Sequence, residues 1–205
     1  MNFPSADSFF FLGPESAGIL MTPEEFDGVE DYDDEYRYEL VHGVLVVTPF
    51  PSPPEAGAND LLGYLLLAHR EKYGLESGFD TLPHVCIRTN TSRRLVNRSI
   101  WTGLGRIADP RRDVPTIAVE FVSAGRRNRQ RDYMDKRQEY MEAGVREYWI
   151  IDRFQRTLTL VHNESQGPEE RVIQENETYR SARLPDFPLP LRQLITEANR
   201  WAEAE

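Results

Sequence analysis

The stretch EYWIID, Glu147 to Asp152, is apolar at consecutive positions rather than at alternate ones. A strand of that kind is buried on both faces, so the chain must lay helices over a sheet. The rest of the pattern agrees. MTPEEF opens a short helix: Thr22 can cap it, Pro23 suits its first turn, and Glu24 and Glu25 complement its dipole. DGVEDYDDEY reads as a solvated acidic loop. YRYELVHGVLVV reads as a β-hairpin that turns at His42-Gly43, and the prolines of TPFPSPPEAG end it. NDLLGYLLLAHREKYG predicts a helix capped by Asn59 or Asp60 and stopped by Gly74.

HVCIR, SIWTG and TIAVEFVS are short strand candidates, and a second long helix is expected over about 128–143, ending at Gly144. TLTLVHN, RVIQE and TYRSARL alternate and predict an antiparallel extension, and LRQLITEANRWAEA predicts a final helix. The order implies an α/β (α+β) fold: a mixed β-sheet flanked by helices, with an antiparallel C-terminal extension. No internal repeat or long linker interrupts it. The expected organisation is an N-terminal arm, residues 1–20, extended or covering a sheet edge, and a single domain over 21–205.

Composition narrows the setting. No apolar run reaches the roughly 18 residues that span a bilayer, so no membrane is expected as a partner. The Phe-rich start lacks a positive n-region and does not read as a signal peptide. The single cysteine, Cys86, excludes an intrachain disulfide and a cysteine metal cluster, which suits a cytoplasmic protein. A net charge of −10 argues against general attraction to nucleic acid, yet the charge is unevenly spread. Glu24 to Glu39 holds nine acids and one base, whereas Arg88 to Arg131 holds eleven arginines and three acids. Only two of the 24 basic residues, Lys72 and Lys136, are lysine, which hints at places where a compact ammonium is wanted.

Glu120 interrupts the apolar run TIAVEFVS. An unpaired buried carboxylate is costly, so it lies at a strand end, pairs with an arginine, or holds a hard cation such as Mg²⁺. Downstream, Tyr133, Lys136 and Tyr140 fall at i, i+3 and i+7 and share a helix face. If the tyrosines face the sheet, Lys136 points inward toward the strand of Glu120 and can stabilise charge on a phosphate. The alternatives are a lysine that snorkels outward or pairs with Asp132. Arg126, Arg127, Arg129 and Arg131 lie between that strand and that helix and could hold a phosphate backbone, or form a solvated helix start. The four histidines lack metal-ligand spacing; His42, near Glu39, is most simply a turn residue. GLGR at 103–106 lacks the rest of a dinucleotide fingerprint.

MTPEEF, YRYELVHGVLV, TIAVEFVS, RDYMDKRQEY and GVREYWIIDR, in this order, resemble the Uma-two family of restriction endonucleases, within the PD-(D/E)xK nuclease superfamily. The resemblance covers about Met21 to Val161. It implies a restriction-endonuclease-like fold and a Mg²⁺- or Mn²⁺-dependent endonuclease that hydrolyses phosphodiester bonds in DNA. In the implied site Glu39 is the first acid, Glu120 is the acid of the (D/E)xK strand, and Ser123 is the family's serine. Val122 stands at the usual lysine position; the family moves that lysine to the next helix, where Lys136 matches, with the aromatic Tyr140 one turn later. The implied metal ligands are Glu120, Asn97 and Glu39.

One position departs from the pattern: Asn97 stands where an aspartate is expected. Its carbonyl can ligate a metal but lacks the charge that draws one. Asp113 is an alternative ligand, although it belongs to the turn before the Glu120 strand. The expected assembly is a homodimer, with the Phe-rich arm packed on a partner chain. A different reading follows from Asn97 and the acidic net charge: a catalytically inactive nuclease-fold protein acting as a nucleic-acid-binding or protein-interaction module.

Overall fold

Left-handed backbone at His42 (φ 50°) and Gly43 (φ 79°) closes a two-residue hairpin turn where the sequence predicts one. The structure, a computed structural model, describes residues 11–74, 78–125, 130–164 and 167–203. They fall into two compact units: residues up to Phe50 with Arg88–Arg94, and Pro51–Ile87 with Leu95–Glu205. Among the described residues no helix is long and apolar enough to cross a membrane.

In the first unit β1 (Phe11–Leu12) pairs in parallel with β2 (Asp31–Tyr32), and α1 (Pro23–Asp27) lies between them in sequence. The predicted cap of α1 forms fully: Thr22 Oγ1 accepts from Glu25 N at 3.1 Å and Glu25 Oε2 accepts from Thr22 N at 2.7 Å. The hairpin is β3 (Arg37–Val41) with β4 (Val44–Thr48). Residues 11–20 are built into this unit, since Gly18 N donates to Leu45 O at 2.8 Å and Leu20 bridges Val44. At the end of α1, Asp27 accepts from Arg93 Nε at 3.0 Å and Nη2 at 2.8 Å. Those bonds, with Arg88 nearby, hold its carboxyl below the usual range despite partial burial.

The second unit carries α2 (Pro53–Lys72), β5 (Phe79–Arg88), β6 (Arg93–Thr102), whose first two residues belong to the first unit, and β7 (Ile117–Phe121). A π-helical turn at Arg131–Asp135 then runs into α3 (Lys136–Ala143), which Gly144 stops in left-handed backbone at φ 99°. β8 (Glu147–Asp152), β9 (Thr157–Glu164), β10 (Gly167–Gln174), the separate pair β11 (Tyr179–Arg180) and β12 (Pro188–Leu189), and α4 (Leu191–Ala202) complete it. The sheet order is β10-β9-β8-β7-β6, with β5 also on β6. β7 and β8 are parallel, while β6–β7, β8–β9 and β9–β10 are antiparallel. The expected mixed sheet with an antiparallel extension is therefore what forms.

Every residue of β8 is buried, as its unbroken apolar run requires. Trp149 and Ile151 join Ile117, Val119 and Phe121 in a core with Leu62 of α2 and Leu194 of α4. Tyr148 and Ile150 join Ala118, Val122, Tyr140 and Met141 in a second core under α3. Glu120 alternates with Phe121 and Val119, so it projects on the α3 side.

Several element boundaries differ from expectation. The helix α2 starts at Pro53, not at Asn59 or Asp60, because Pro53 and Pro54 occupy a first turn whose N–H groups need no helical partner. The strand β6 is longer than SIWTG, and its added part holds Arg93, Arg94, Asn97 and Arg98, which conceal a strand from an apolarity count. TYRSARL contributes only Tyr179–Arg180, paired with Pro188–Leu189 rather than with the extension. The expected helix over 128–143 is π-helical at first, and residues 128 and 129 lie outside the described residues.

Asn59, freed from capping, faces β6 at 2% exposure. Arg98 donates from Nε to Asn59 Oδ1 at 2.8 Å, from Nη2 to Asn59 O at 3.0 Å and from Nη1 to Thr81 Oγ1 at 3.2 Å. Burial pulls its guanidinium down to about 10, still charged at neutral pH. The guanidinium lies so close to Gly63 that a Cβ there would meet Nη2 at 2.5 Å and Cζ at 2.7 Å. Gly63→Ala is therefore expected to destabilise the protein by about 1–3 kcal/mol, because displacing a buried, thrice-bonded guanidinium outweighs the helix-propensity gain. Urea unfolding measures it; a stabilised variant would show that Arg98 moves aside freely.

Candidate active site

A carboxylate survives in the buried strand β7 because two donors from one helix meet it. Lys136 Nζ donates to Glu120 Oε1 at 2.7 Å, and the Tyr140 hydroxyl donates to the same oxygen at 2.9 Å. The two charged side chains are 4% and 2% exposed. Lys136 Nζ also donates to Leu95 O at 2.9 Å, which ties the start of α3 to β6. Of the alternatives left open by spacing, the inward lysine is the one observed.

The π-helical turn sets this geometry. Tyr148 of β8 donates to Asp132 O at 2.9 Å, and Tyr133 donates to Asp152 Oδ2 at 3.3 Å. Tyr140 packs edge-on against Tyr148 at 5.1 Å between ring centroids. Tyr133, Lys136 and Tyr140 thus all face the sheet, and the turn is pinned before Lys136 is reached. Such turns are frequent at functional sites.

Asn97 joins the cluster from β6. The β6–β7 ladder pairs Arg98 with Val119, and one step further the side chain replaces the ladder: Asn97 Oδ1 accepts from Phe121 N at 2.8 Å. Its main-chain carbonyl accepts from Asn59 Nδ2 at 2.8 Å. Two polar atoms here take part in no hydrogen bond among the described residues: Glu120 Oε2 and Asn97 Nδ2. Neither is one of the sealed, partnerless polar atoms of the interior. Oε1 of Glu120 is saturated, and Oε2 is open.

The other predicted residues lie as follows. Ser123 follows β7 and is half-buried. Glu39 sits on β3 in the first unit, opposite Val46 and 4% exposed. His42 is the hairpin residue, its N–H donating to Ser92 Oγ at 3.0 Å. Asp113 is in the β6–β7 loop, where bonds from Arg106 and from Asp109 N hold its carboxyl at about 2. Arg126, Arg127 and Arg129 lie outside the described residues, and of Arg131 only the backbone, opening the π turn, is described. Reading the sequence missed Asn59, which supports Asn97, and Asp152, which anchors Tyr133. The clue for Asn59 was the Pro53-Pro54 helix start, which leaves it about two turns too deep to cap.

Among the described residues no three His, Cys, Asp or Glu side chains group into a metal cage. The donor set does fit a hard cation held lightly: one open carboxylate oxygen, with water and substrate phosphate completing the shell.

The family model "Uma2: Putative restriction endonuclease" matches residues 23–192. The chain belongs to the Uma2 family. Among solved structures, this Uma2 chain is similar to "a putative nuclease belonging to DUF820 from Anabaena variabilis", with a TM-score of 0.70 and 12% identity. That match covers 87% of this chain and 99% of the other. At such identity it speaks for the fold, and the fold it supports is the nuclease-like one of the Uma2 family. No curated protein matches.

Proposed function

We propose that this Uma2 protein is a divalent-metal-dependent endonuclease that hydrolyses phosphodiester bonds, with DNA as substrate. The reading rests on one observation above all: a fully buried lysine and tyrosine saturate one oxygen of Glu120 and leave the other open. Mg²⁺ or Mn²⁺ would be held at Oε2 of Glu120, where such an ion supplies a Lewis acid and lowers the pKa of water. Lys136 supplies a fixed positive charge beside the reacting phosphoryl group, in a site where little water screens it. Tyr140 keeps the carboxylate oriented. The arginines at 126, 127, 129 and 131 would grip the phosphate backbone, on the strength of their charge and their place in sequence between β7 and α3. For Glu39 the support is the resemblance alone. A cytoplasmic homodimer remains the proposed form; light scattering of the full chain should give twice the 23.7 kDa of one chain, and a single-chain mass would remove the dimer.

Supercoiled plasmid incubated with Mg²⁺ or Mn²⁺ tests the activity. Nicked and linear products that vanish in EDTA are expected; an intact plasmid with both metals would remove the enzyme reading. A second reading, an inactive nuclease-fold module that binds nucleic acid or protein, is favoured by Asn97, whose carbonyl is already engaged and carries no charge.

A further inference from the structure

Asn97 need not be a poor copy of an aspartate. A backbone N–H can only donate, so the atom 2.8 Å from Phe121 N is the carbonyl of the Asn97 amide. That fixes the amide's orientation, and Nδ2 must face away from the Phe121 N–H. Asn97 is only 5% exposed, and its Nδ2 finds no acceptor among the described residues. An amide nitrogen carries hydrogens and cannot ligate a metal, but it donates well to an anionic oxygen.

The neighbouring charges favour the same ligand. Glu120 and Lys136 cancel at 2.7 Å, so with asparagine at 97 the three side chains sum to zero; an aspartate would make the sum −1 and repel a phosphate. The carbonyl has also become a structural element, ending the β6–β7 ladder, while Asn59 holds the same residue by its main chain. Metal ligation through that oxygen would compete with the Phe121 N–H bond.

We propose that Asn97 binds a non-bridging oxygen of the substrate phosphodiester through Nδ2, beside Lys136, and is not a metal ligand. This rests on the reading of the site as one for a phosphodiester, but it does not depend on cleavage. The chain should therefore hold a phosphodiester without metal, where an aspartate at 97 would need the cation first.

The test uses the full chain labelled with ¹⁵N, in EDTA, titrated with dimethyl phosphate as the minimal phosphodiester. The Asn97 side-chain NH₂ signals are expected to shift saturably. Asn97→Asp retains an acceptor for Phe121 N–H, so it should fold, bind dimethyl phosphate ~10-fold or more weakly, and bind Mg²⁺ more tightly by calorimetry. Unmoved Asn97 signals, or equal dimethyl phosphate affinity in Asn97→Asp, would overturn the proposal. So would Mg²⁺ alone shifting the Asn97 NH₂ and Phe121 amide signals together, the signature of carbonyl ligation. If Asn97→Asp fails to fold, the wild-type titrations still decide. Plasmid cutting with an unresponsive Asn97 would refute the donor role and spare the nuclease; binding without cutting would do the reverse.

Discussion

Glu120→Ala is expected to reduce plasmid cutting to the level seen in EDTA and to destabilise the fold by about 3–5 kcal/mol. The two effects share a cause. Removing the carboxylate takes away the open oxygen proposed for the metal, and it also removes the counter-charge that neutralises the buried Lys136 ammonium. Glu120→Gln separates them. The amide oxygen can still accept from Lys136 and Tyr140, so much of the stability should remain, while the metal loses its charged ligand. If Glu120→Gln cuts plasmid like the wild type, the carboxylate has no role in catalysis.

The second large effect concerns Lys136. Alone, Lys136→Met should cost about 3–5 kcal/mol, because Glu120 then keeps the Tyr140 hydroxyl but is a buried charge without its counter-charge. Joined to Glu120→Leu, it should recover most of that loss, since buried ion pairs are often replaceable by apolar side chains of similar volume. Cutting should stay absent in the double variant. Denaturant unfolding of the four proteins closes the cycle. A double variant as unstable as the sum of the singles would mean that the pair is not coupled, contrary to the 2.7 Å contact. A stable double variant that also cuts would mean that the pair serves the fold and nothing else.

The fold was largely legible, and for physical reasons. EYWIID has to be buried on both faces, and the Tyr133, Lys136 and Tyr140 spacing has to share a face, so the sheet and its covering helix follow from periodicity. What escaped is where polar residues carry structure. β6 runs through three arginines and an asparagine, since Arg98 is absorbed by Asn59 and Thr81, and Arg93 by Asp27. No alternation of apolar residues signals such a strand. The π-helical turn was hidden as well, because its cause lies in Tyr148 and Asp152 on a strand later in the chain.

At the site, residue types could be read from the sequence but orientation could not. Asparagine at 97 could be seen as a lost charge; that its carbonyl faces Phe121 N, leaving a donor free, depends on the end of a ladder that no local pattern predicts.

The proposed role of Glu120 is to hold a divalent cation through its open oxygen. Calorimetric titration of Mn²⁺ into the wild-type chain and into Glu120→Gln tests it most directly. Saturable binding of Mn²⁺ to the wild type, and its loss in a variant that still folds, is the expected result. No binding to the wild type, or equal binding to both, would contradict it.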